Sequence, residues 1–238
     1  LYPYNELAAQ VIGFTNYDNQ GRYGIEGYFN HILDGSKSII EYNKNSRGRL
    51  VTSKKSLPPN DGSDIFLTID INIQDILQSE LKKVFLEDKA KSANGIIIDP
   101  YNGEIIAMAS IPDFNINNYK KLPLDSSNYY YTNRVISSPY EPGSTFKVVC
   151  FSEAMDNNIN NNHQKYFCEN GNYVGKYQKS FSDHDPYDSL SFSDIFSFSS
   201  NIGTIKIFES LSKKSFYKKM QEFGFGIKSN ISLKDENS

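Results

Sequence analysis

The sequence predicts a mixed α/β domain of the α+β type, in which helices flank an antiparallel sheet. Three features predict it: a short strand candidate at residues 65–69, a long amphipathic helix after Asp70, and two apolar stretches joined by a turn at residues 99–103. A strand, a long helix and a hairpin in this order are typical of a domain with antiparallel pairing.

The helix and the hairpin are the best-defined of these elements. Asp70 is a suitable N-cap, because its carboxylate can accept the free N–H groups of a first helical turn. Segments 95–99 and 104–110 are predicted strands, and Asn102-Gly103 between them is a favoured hairpin pair. The apolar residues that follow Asp70 at helical spacing predict one buried face, and they are Ile73, Ile76, Leu77, Leu81, Val84 and Phe85.

The rest of the chain is less regular. Residues 1–58 mix short apolar runs with turn signals and have no sustained helical period. The polar stretch 53–63 carries paired prolines and a glycine and is interpreted as a connector, so we place a domain boundary between 1–58 and 59–238. Residues 157–188 are predicted as surface loop with a short β element. From Ser191 onward apolar residues return at helical spacing.

Composition excludes some classes of protein. A chain of 238 residues with 38% hydrophobic residues can bury a core, and its net charge of −3 gives no electrostatic case for nucleic acid. Two cysteines, Cys150 and Cys168, are too few for a disulfide framework, and the sequence leaves a single disulfide between them as an alternative. The three histidines have no zinc-binding spacing, so no metal or other cofactor is implied.

A candidate nucleophile lies directly behind Pro142-Gly143, a helix-start signal. Ser144 and Lys147 are three residues apart and would share one helix face. A lysine in a dry pocket can lose its proton near neutral pH and accept the proton of a serine. The spacing alone is weak evidence, because the chain contains three other pairs of this kind that are interpreted as helix-surface pairs: Ser79/Lys82, Ser210/Lys213 and Ser215/Lys218.

A second candidate element is Ser199-Ser200-Asn201. Such a turn can present its first and third side chains to one cleft while the second, Ser200, has a structural role. An ordinary polar turn between helices is the alternative. The stretch Asp183-His184-Asp185 offers a histidine beside carboxylates, and a solvated loop is the preferred interpretation there.

The context of these residues resembles the penicillin-binding proteins. Their signature is S-x-x-K, then S-x-N, then K-[ST]-G, and Tyr140–Lys147 and Ser199–Asn201 are similar to the first two motifs. The similarity is greatest to the division-type (FtsI-like) class B transpeptidases and covers nearly the whole chain. It extends to segments 95–109, 133–136 and 223–226, and upstream to 2–9, 11–14 and 24–27, which resemble the membrane-proximal module of class B enzymes.

The resemblance implies a transpeptidase fold over 59–238, preceded over 1–58 by part of a β-rich, non-catalytic dimerisation or pedestal module. It implies a peptidoglycan D,D-transpeptidase that cross-links stem peptides ending in D-Ala-D-Ala and that β-lactams target. Ser144 would be the nucleophile and Lys147 its base, while Ser199 would relay a proton and Asn201 would hold the peptide backbone.

The resemblance also implies a location and partners. Class B enzymes carry one N-terminal anchor in the bacterial cytoplasmic membrane, with the catalytic domain on the extracytoplasmic side. No such anchor lies within this chain, so we expect it to be an internal piece of a longer protein. A glycosyltransferase and other division proteins are the expected partners, and nucleic acid is not.

One departure from the family pattern leaves rival functions open. No K-[ST]-G follows Asn201 before Ser238, and in the family that motif lies on the sheet-edge strand that binds the substrate carboxylate. We therefore expect residues 1–238 alone to have an incomplete sheet and negligible activity. A non-catalytic or degraded module that engages division partners is one rival, and a serine β-lactamase or sensor is another.

Overall fold

The computed structural model describes residues 1–36, 39–44, 47–122, 127–161, 163–175, 178–234 and 236. The chain forms two compact units. The first comprises residues 1–138 with 230–237, and the second comprises residues 139–229. These units are defined by packing, whereas the division at residue 58 was inferred from composition and resemblance and stays a prediction.

The first unit contains short helices, two hairpins and one long helix. Its elements are α1 (Ala9–Ile12), α2 (Gly24–Tyr28), α3 (Asn30–Leu33), β1 (Ile39–Lys44), β2 (Leu50–Leu57), α4 (Ile71–Glu87), β3 (Ala93–Ile98), β4 (Ile105–Ile111), a 3₁₀ segment (Ile116–Lys121), α5 (Ser127–Tyr131) and α6 (Arg134–Ser137). β1 pairs with β2 and β3 with β4, both antiparallel. The one-turn helices near the N-terminus are too short to produce the helical period that sequence patterns reveal.

The long helix and the hairpin are confirmed. Asp70 caps α4, since its Oδ1 accepts the N–H groups of Asn72 at 2.8 Å and Ile73 at 3.0 Å. In the β3–β4 turn, Gly103 has φ of +79° and its N–H donates to the Asp99 carbonyl at 2.9 Å. A glycine suits this position because side chains disfavour the left-handed region.

The predicted apolar face of α4 is only partly correct. Ile76 and Val84 are 62% and 49% exposed, while Gln74 is fully buried and Gln78 nearly so. The Gln74 amide bonds both backbone groups of Met108 in β4: Nε2 donates to the carbonyl at 2.9 Å, and Oε1 accepts the N–H at 2.8 Å. A buried amide that satisfies backbone groups in this way gives no hydrophobic signal in the sequence.

Two other local predictions are wrong. Residues 65–69 form no strand. Their contact with β4 is a hydrogen bond from Thr68 Oγ1 to the Ile105 carbonyl. The Asp70 N–H adds one backbone hydrogen bond, to the Ile106 carbonyl. The stretch 53–63 is not all connector, because β2 continues to Leu57 and pairs with Ile39 of β1. In both cases a strand forms only where a partner strand lies in register, whatever the local composition.

The second unit is mainly helical. A 3₁₀ turn (Gly143–Phe146) leads directly into α7 (Lys147–Asp156), as the Pro-Gly signal predicts. The elements that follow are β5 (Lys165–Phe167), a 3₁₀ turn (Glu169–Gly171), β6 (Asn172–Val174), β7 (Ser180–Ser182), β8 (Ser189–Ser191), α8 (Phe192–Ser197), α9 (Asn201–Ser210) and α10 (Lys213–Glu222). β5 pairs with β8 and β6 with β7, both antiparallel. The whole is the α/β architecture that the sequence predicts.

The core of the second unit lies between α7, α8, α9 and β8. Its buried residues are Cys150, Phe151, Ala154, Cys168, Leu190, Phe192, Ile195, Ile202 and Ile207. Both cysteines are buried free thiols in this structure. Burial raises the pKa of the Cys150 thiol to about 12, which makes it an inert core residue.

Gly203 allows α9 to pack closely on α8. A Cβ at this position would lie 2.6 Å from Cγ1 and 2.7 Å from Cγ2 of Ile195, a fully buried residue. Because Ile195 is β-branched and enclosed, it cannot move aside without cost.

We expect Gly203→Ala to lower the free energy of unfolding by about 1–3 kcal/mol, as overpacking a filled core does. Urea unfolding of the native gene product measures the change. The control is a double-mutant cycle with Ile195→Ala, which removes the atoms that clash. The double variant should be more stable than the sum of the two single effects predicts, and strict additivity would contradict the contact.

Candidate active site

The side chains of Lys147, Ser199 and Asn201 meet at one point in the second unit. Lys147 Nζ donates to Ser199 Oγ at 3.0 Å, to Asn201 Oδ1 at 2.8 Å and to the Ser199 carbonyl at 2.5 Å. An ammonium has three donors, and three acceptors surround this one. The structure therefore brings together three of the four predicted catalytic residues.

Ser144, the fourth residue, lies one turn before Lys147. It is exposed, within the 3₁₀ turn, where side chains three residues apart eclipse. Its Oγ makes no hydrogen bond within the described ranges. Phe146 anchors this turn, since its ring packs edge-on against Phe225 at 5.0 Å and Phe216 at 6.2 Å.

Ser199 is held in a strained backbone conformation. Its φ is +56°, in the left-handed region that glycine usually occupies after a helix. Its N–H donates to the Phe196 carbonyl at 3.1 Å, and the N–H of Ser200 donates to the Ile195 carbonyl at 3.0 Å. This is the Schellman arrangement at the end of α8, and it aims the Ser199 carbonyl and Oγ at Lys147.

Ser200 caps the next helix and is 1% exposed, as its predicted structural role requires. Its Oγ accepts the Gly203 N–H at 2.9 Å and donates to Asp183 Oδ2 at 2.7 Å. Asp183 Oδ1 accepts the N–H groups of Asn201 and Ile202, the latter at 3.1 Å. A carboxylate thus sits on the N-terminus of α9, where the helix dipole favours negative charge.

The Asn201 amide is fixed from both sides. Its Nδ2 donates to the Ser182 carbonyl at 2.9 Å, which turns Oδ1 towards Lys147. β7 ends at Ser182, so the end of one strand orients the polar group of the helix.

Burial and the charge of Asp183 act on the pKa of the Lys147 amine in opposite directions. Burial lowers the pKa of the Lys147 amine, and the negative charge of Asp183 opposes part of that effect. A lowered pKa is what a lysine needs to act as a base.

Other polar residues singled out in the sequence lie outside this cluster. The side chain of His184 is 98% exposed and that of Asp185 58% exposed, which agrees with a solvated loop. Arg134, in the segment 133–136 that resembles the family, donates to the carbonyls of Tyr129 and Pro112. Its contacts are made within the first unit.

Asp183 is a residue of this cluster that no sequence motif predicts. Of the three residues 183–185, it alone binds the N-terminus of α9. A single acidic residue just after a short strand gives no periodic signal, and its distance of 18 positions from Asn201 is not a recognised spacing.

Comparison with known proteins identifies the family. Residues 94–238 match the model of the penicillin-binding protein transpeptidase domain. The chain belongs to this family. Residues 1–67 match the penicillin-binding protein dimerisation domain.

Relatives of this penicillin-binding protein include named peptidoglycan enzymes. It is 29% identical to stage V sporulation protein D of Bacillus subtilis over 240 residues, and 28% identical to peptidoglycan D,D-transpeptidase FtsI of Escherichia coli over 241 residues. All of the chain is aligned in both cases, and it spans 37% and 39% of the two relatives' lengths. The crystal structure of penicillin-binding protein 2X from Streptococcus thermophilus superposes with a TM-score of 0.80 at 25% identity, over the whole chain and 37% of that protein.

No helix in the described part of this penicillin-binding protein has the length and apolar character needed to span a membrane.

Proposed function

We propose that this chain is part of a peptidoglycan D,D-transpeptidase that reacts through an acyl-serine intermediate. The observation that carries the proposal is the contact of Lys147 Nζ with Ser199 Oγ and Asn201 Oδ1. Lys147 follows by one turn Ser144, an exposed serine in the 3₁₀ turn that leads into α7. The substrate class is the peptide stem of peptidoglycan that ends in D-Ala-D-Ala.

In the first half-reaction the Ser144 hydroxyl attacks the carbonyl of the penultimate D-Ala. Lys147 in its neutral form takes the serine proton, an ester bond to Ser144 forms, and the peptide C–N bond breaks. Ser199 gives its proton to the departing amine and takes a proton from Lys147, so that the terminal D-Ala leaves neutral at nitrogen and Lys147 is again a neutral amine. Asn201 donates or accepts along the peptide backbone of the stem.

In the second half-reaction an amine of a neighbouring stem attacks the ester carbonyl. A new amide bond forms, the ester bond breaks, and Ser144 recovers its proton from the attacking amine through Lys147. Splitting the exchange into two steps replaces one difficult reaction with two easier ones. A β-lactam would acylate the same serine and stay bound.

The test supplies the native gene product with a stem pentapeptide and an amine acceptor and measures two products, free D-Ala and the cross-linked peptide. The proposal predicts both in equal amounts. Release of D-Ala without cross-linking, together with rapid hydrolysis of penicillin, would favour a hydrolase of the β-lactamase type. Neither product would favour a non-catalytic module.

The pH dependence follows from the environment of Lys147. Because only the neutral amine is a base, the rate of Ser144 acylation should rise with pH and level off when Lys147 is fully deprotonated. Burial lowers the pKa of this amine, so the midpoint should lie below the ordinary lysine value of about 10.4. The measurement is the acylation rate by a fluorescent penicillin between neutral and alkaline pH. A rate that falls as pH rises would contradict the assignment of Lys147 as base.

Ser199 should show a trade between stability and activity. Ser199→Gly relieves the left-handed strain and is expected to raise the free energy of unfolding by up to about 1 kcal/mol, while acylation becomes slower because the hydroxyl is lost. Ser199→Ala is the matched control, since it removes the same hydroxyl and keeps the strain. Equal stability of the two variants would contradict the strain, and wild-type rates in both would contradict the relay.

We further propose a role in septal cell-wall synthesis, at the extracytoplasmic face of the cytoplasmic membrane, with a glycosyltransferase and division proteins as partners. The support is the similarity to FtsI of Escherichia coli along the whole chain. Residues 1–58 would belong to the non-catalytic module and 59–238 to the transpeptidase domain. Imaging of the native protein tests this role: enrichment at the division site supports it, and an even distribution along the cell wall contradicts it.

A further inference from the structure

Asp183 links the end of β7 to the Ser200 hydroxyl and to the start of α9. It follows β7, and its two oxygens accept hydrogen bonds from two backbone N–H groups at the start of α9 and from the Ser200 hydroxyl. The residue before it, Ser182, accepts the Asn201 amide. Ser200 in turn caps the helix at Gly203. Ser182 and Asp183 therefore make four hydrogen bonds with residues 200–202.

The hydrogen bonds to the Asp183 carboxylate are charge-assisted. Charge-assisted hydrogen bonds are about twice as strong as neutral ones, and the N-terminus of a ten-residue helix adds a favourable dipole. They offset the cost of holding Ser199 at a positive φ. Strain of this kind persists only where the surroundings over-determine the conformation.

We propose that Asp183 is a positioning residue of the active site: by binding the start of α9 and the Ser200 hydroxyl, it holds Ser199 and Asn201 in place around the Lys147 amine. The inference rests on the proposed function. It assigns Asp183 no contact with substrate, and its effect on the chemistry passes through the turn and through its charge.

The charge of Asp183 raises the pKa of the Lys147 amine against the lowering caused by burial. Several charged groups on the elements packed against α7 have other partners: Lys206 with Glu169, Lys219 with Asp156 and Glu222, Lys218 with Glu222, Glu209 with the Tyr173 hydroxyl, and Glu153 with the Ser215 hydroxyl. Lys213 and Lys214 at the start of α10 are exposed. His184 and Asp185 pair with each other in solvent.

The test compares Asp183→Asn and Asp183→Ala with the wild type in the native full-length gene product. The readout is the rate of acylation by fluorescent penicillin as a function of pH. Asparagine keeps the shape and loses the charge, so the midpoint should move to lower pH and the plateau should fall about tenfold. Alanine loses the hydrogen bonds as well, and its plateau should fall about 100-fold, the cost of displacing catalytic groups by about 1 Å.

Asp185→Asn is the matched control, because it removes a carboxylate two positions away that is exposed to solvent; it should leave both midpoint and plateau unchanged. Wild-type plateaus in both Asp183 variants would overturn the proposal. A lower plateau with an unmoved midpoint in Asp183→Asn would also overturn it, since a general loss of structure would give that result. If Asp183→Ala fails to fold, Asp183→Asn alone decides.

Different results would contradict the positioning role of Asp183 and the proposed transpeptidase function. Acylated wild type with unaffected Asp183 variants would remove the positioning role and leave the transpeptidase. A wild type that penicillin never acylates would remove both.

Discussion

Ser144→Ala is expected to abolish the reaction with penicillin and the release of D-Ala from a stem peptide. Loss of the nucleophile of a serine enzyme costs on the order of 10⁶ in kcat, and no other hydroxyl can take the same place. Stability should hardly change, because Ser144 is exposed and has no hydrogen bond in the described part of the chain. The variant should therefore unfold at the wild-type urea concentration while it shows no adduct in a gel with fluorescent penicillin.

Ser210→Ala is the matched control for this variant. Ser210 also precedes a lysine by three positions, Lys213, but its hydroxyl donates to the carbonyl of Ile207 in its own helix at 2.6 Å. We expect full reactivity from it. A Ser144→Ala protein that still forms a stable adduct would contradict the assignment of the nucleophile.

Lys147→Arg is expected to slow acylation by about 10²–10⁴, the usual contribution of a general base. Arginine keeps the positive charge and its donors, but its pKa lies above 12 and it does not deprotonate in proteins. The variant therefore separates the loss of a base from the loss of a charge. The measurement is the rate of adduct formation at the alkaline plateau of the wild type.

Lys213→Arg supplies the control, since this exposed lysine has the same spacing from a serine. Its rates should equal those of the wild type. If Lys147→Arg acylated as fast as the wild type, Lys147 would act only through its charge, and the assignment of the base would be wrong.

Local signals in the sequence predicted the elements that local chemistry determines. Asp70 caps α4 as its residue type indicates, and Gly103 occupies the left-handed position of the β3–β4 turn. The turn into α7 begins directly after Pro142. In each case a few neighbouring residues decide the backbone conformation.

Elements that depend on distant partners were predicted less well. Residues 65–69 have strand-like composition but meet β4 only at its edge. The glutamines of α4 are buried because they bond distant backbone groups: Gln74 bonds Met108, 34 positions away, and Gln78 bonds Glu6, 72 positions away. Such a contact is invisible to a pattern that scores hydrophobicity along one helix.

The residues of the candidate site also divide into those that local sequence motifs predict and one that depends on distant partners. Ser144, Lys147, Ser199 and Asn201 were predicted because they stand in two recognisable motifs, and three of them meet in the structure. Asp183 belongs to no motif. Its importance depends on the path of the chain from β7 to α9, which brings a loop carboxylate onto a helix N-terminus.

The central claim is that Ser144 forms a covalent acyl bond, and one measurement tests it most directly. Membranes of the source cell are treated with a tagged penicillin, the native protein is digested with trypsin, and the modified peptide is identified by mass spectrometry. Cleavage after Arg134 and Lys147 yields the peptide Val135–Lys147, which contains Ser144. We predict that this peptide carries the adduct, on Ser144. Recovery of the peptide only in its unmodified form, or an adduct on another serine, would contradict the account.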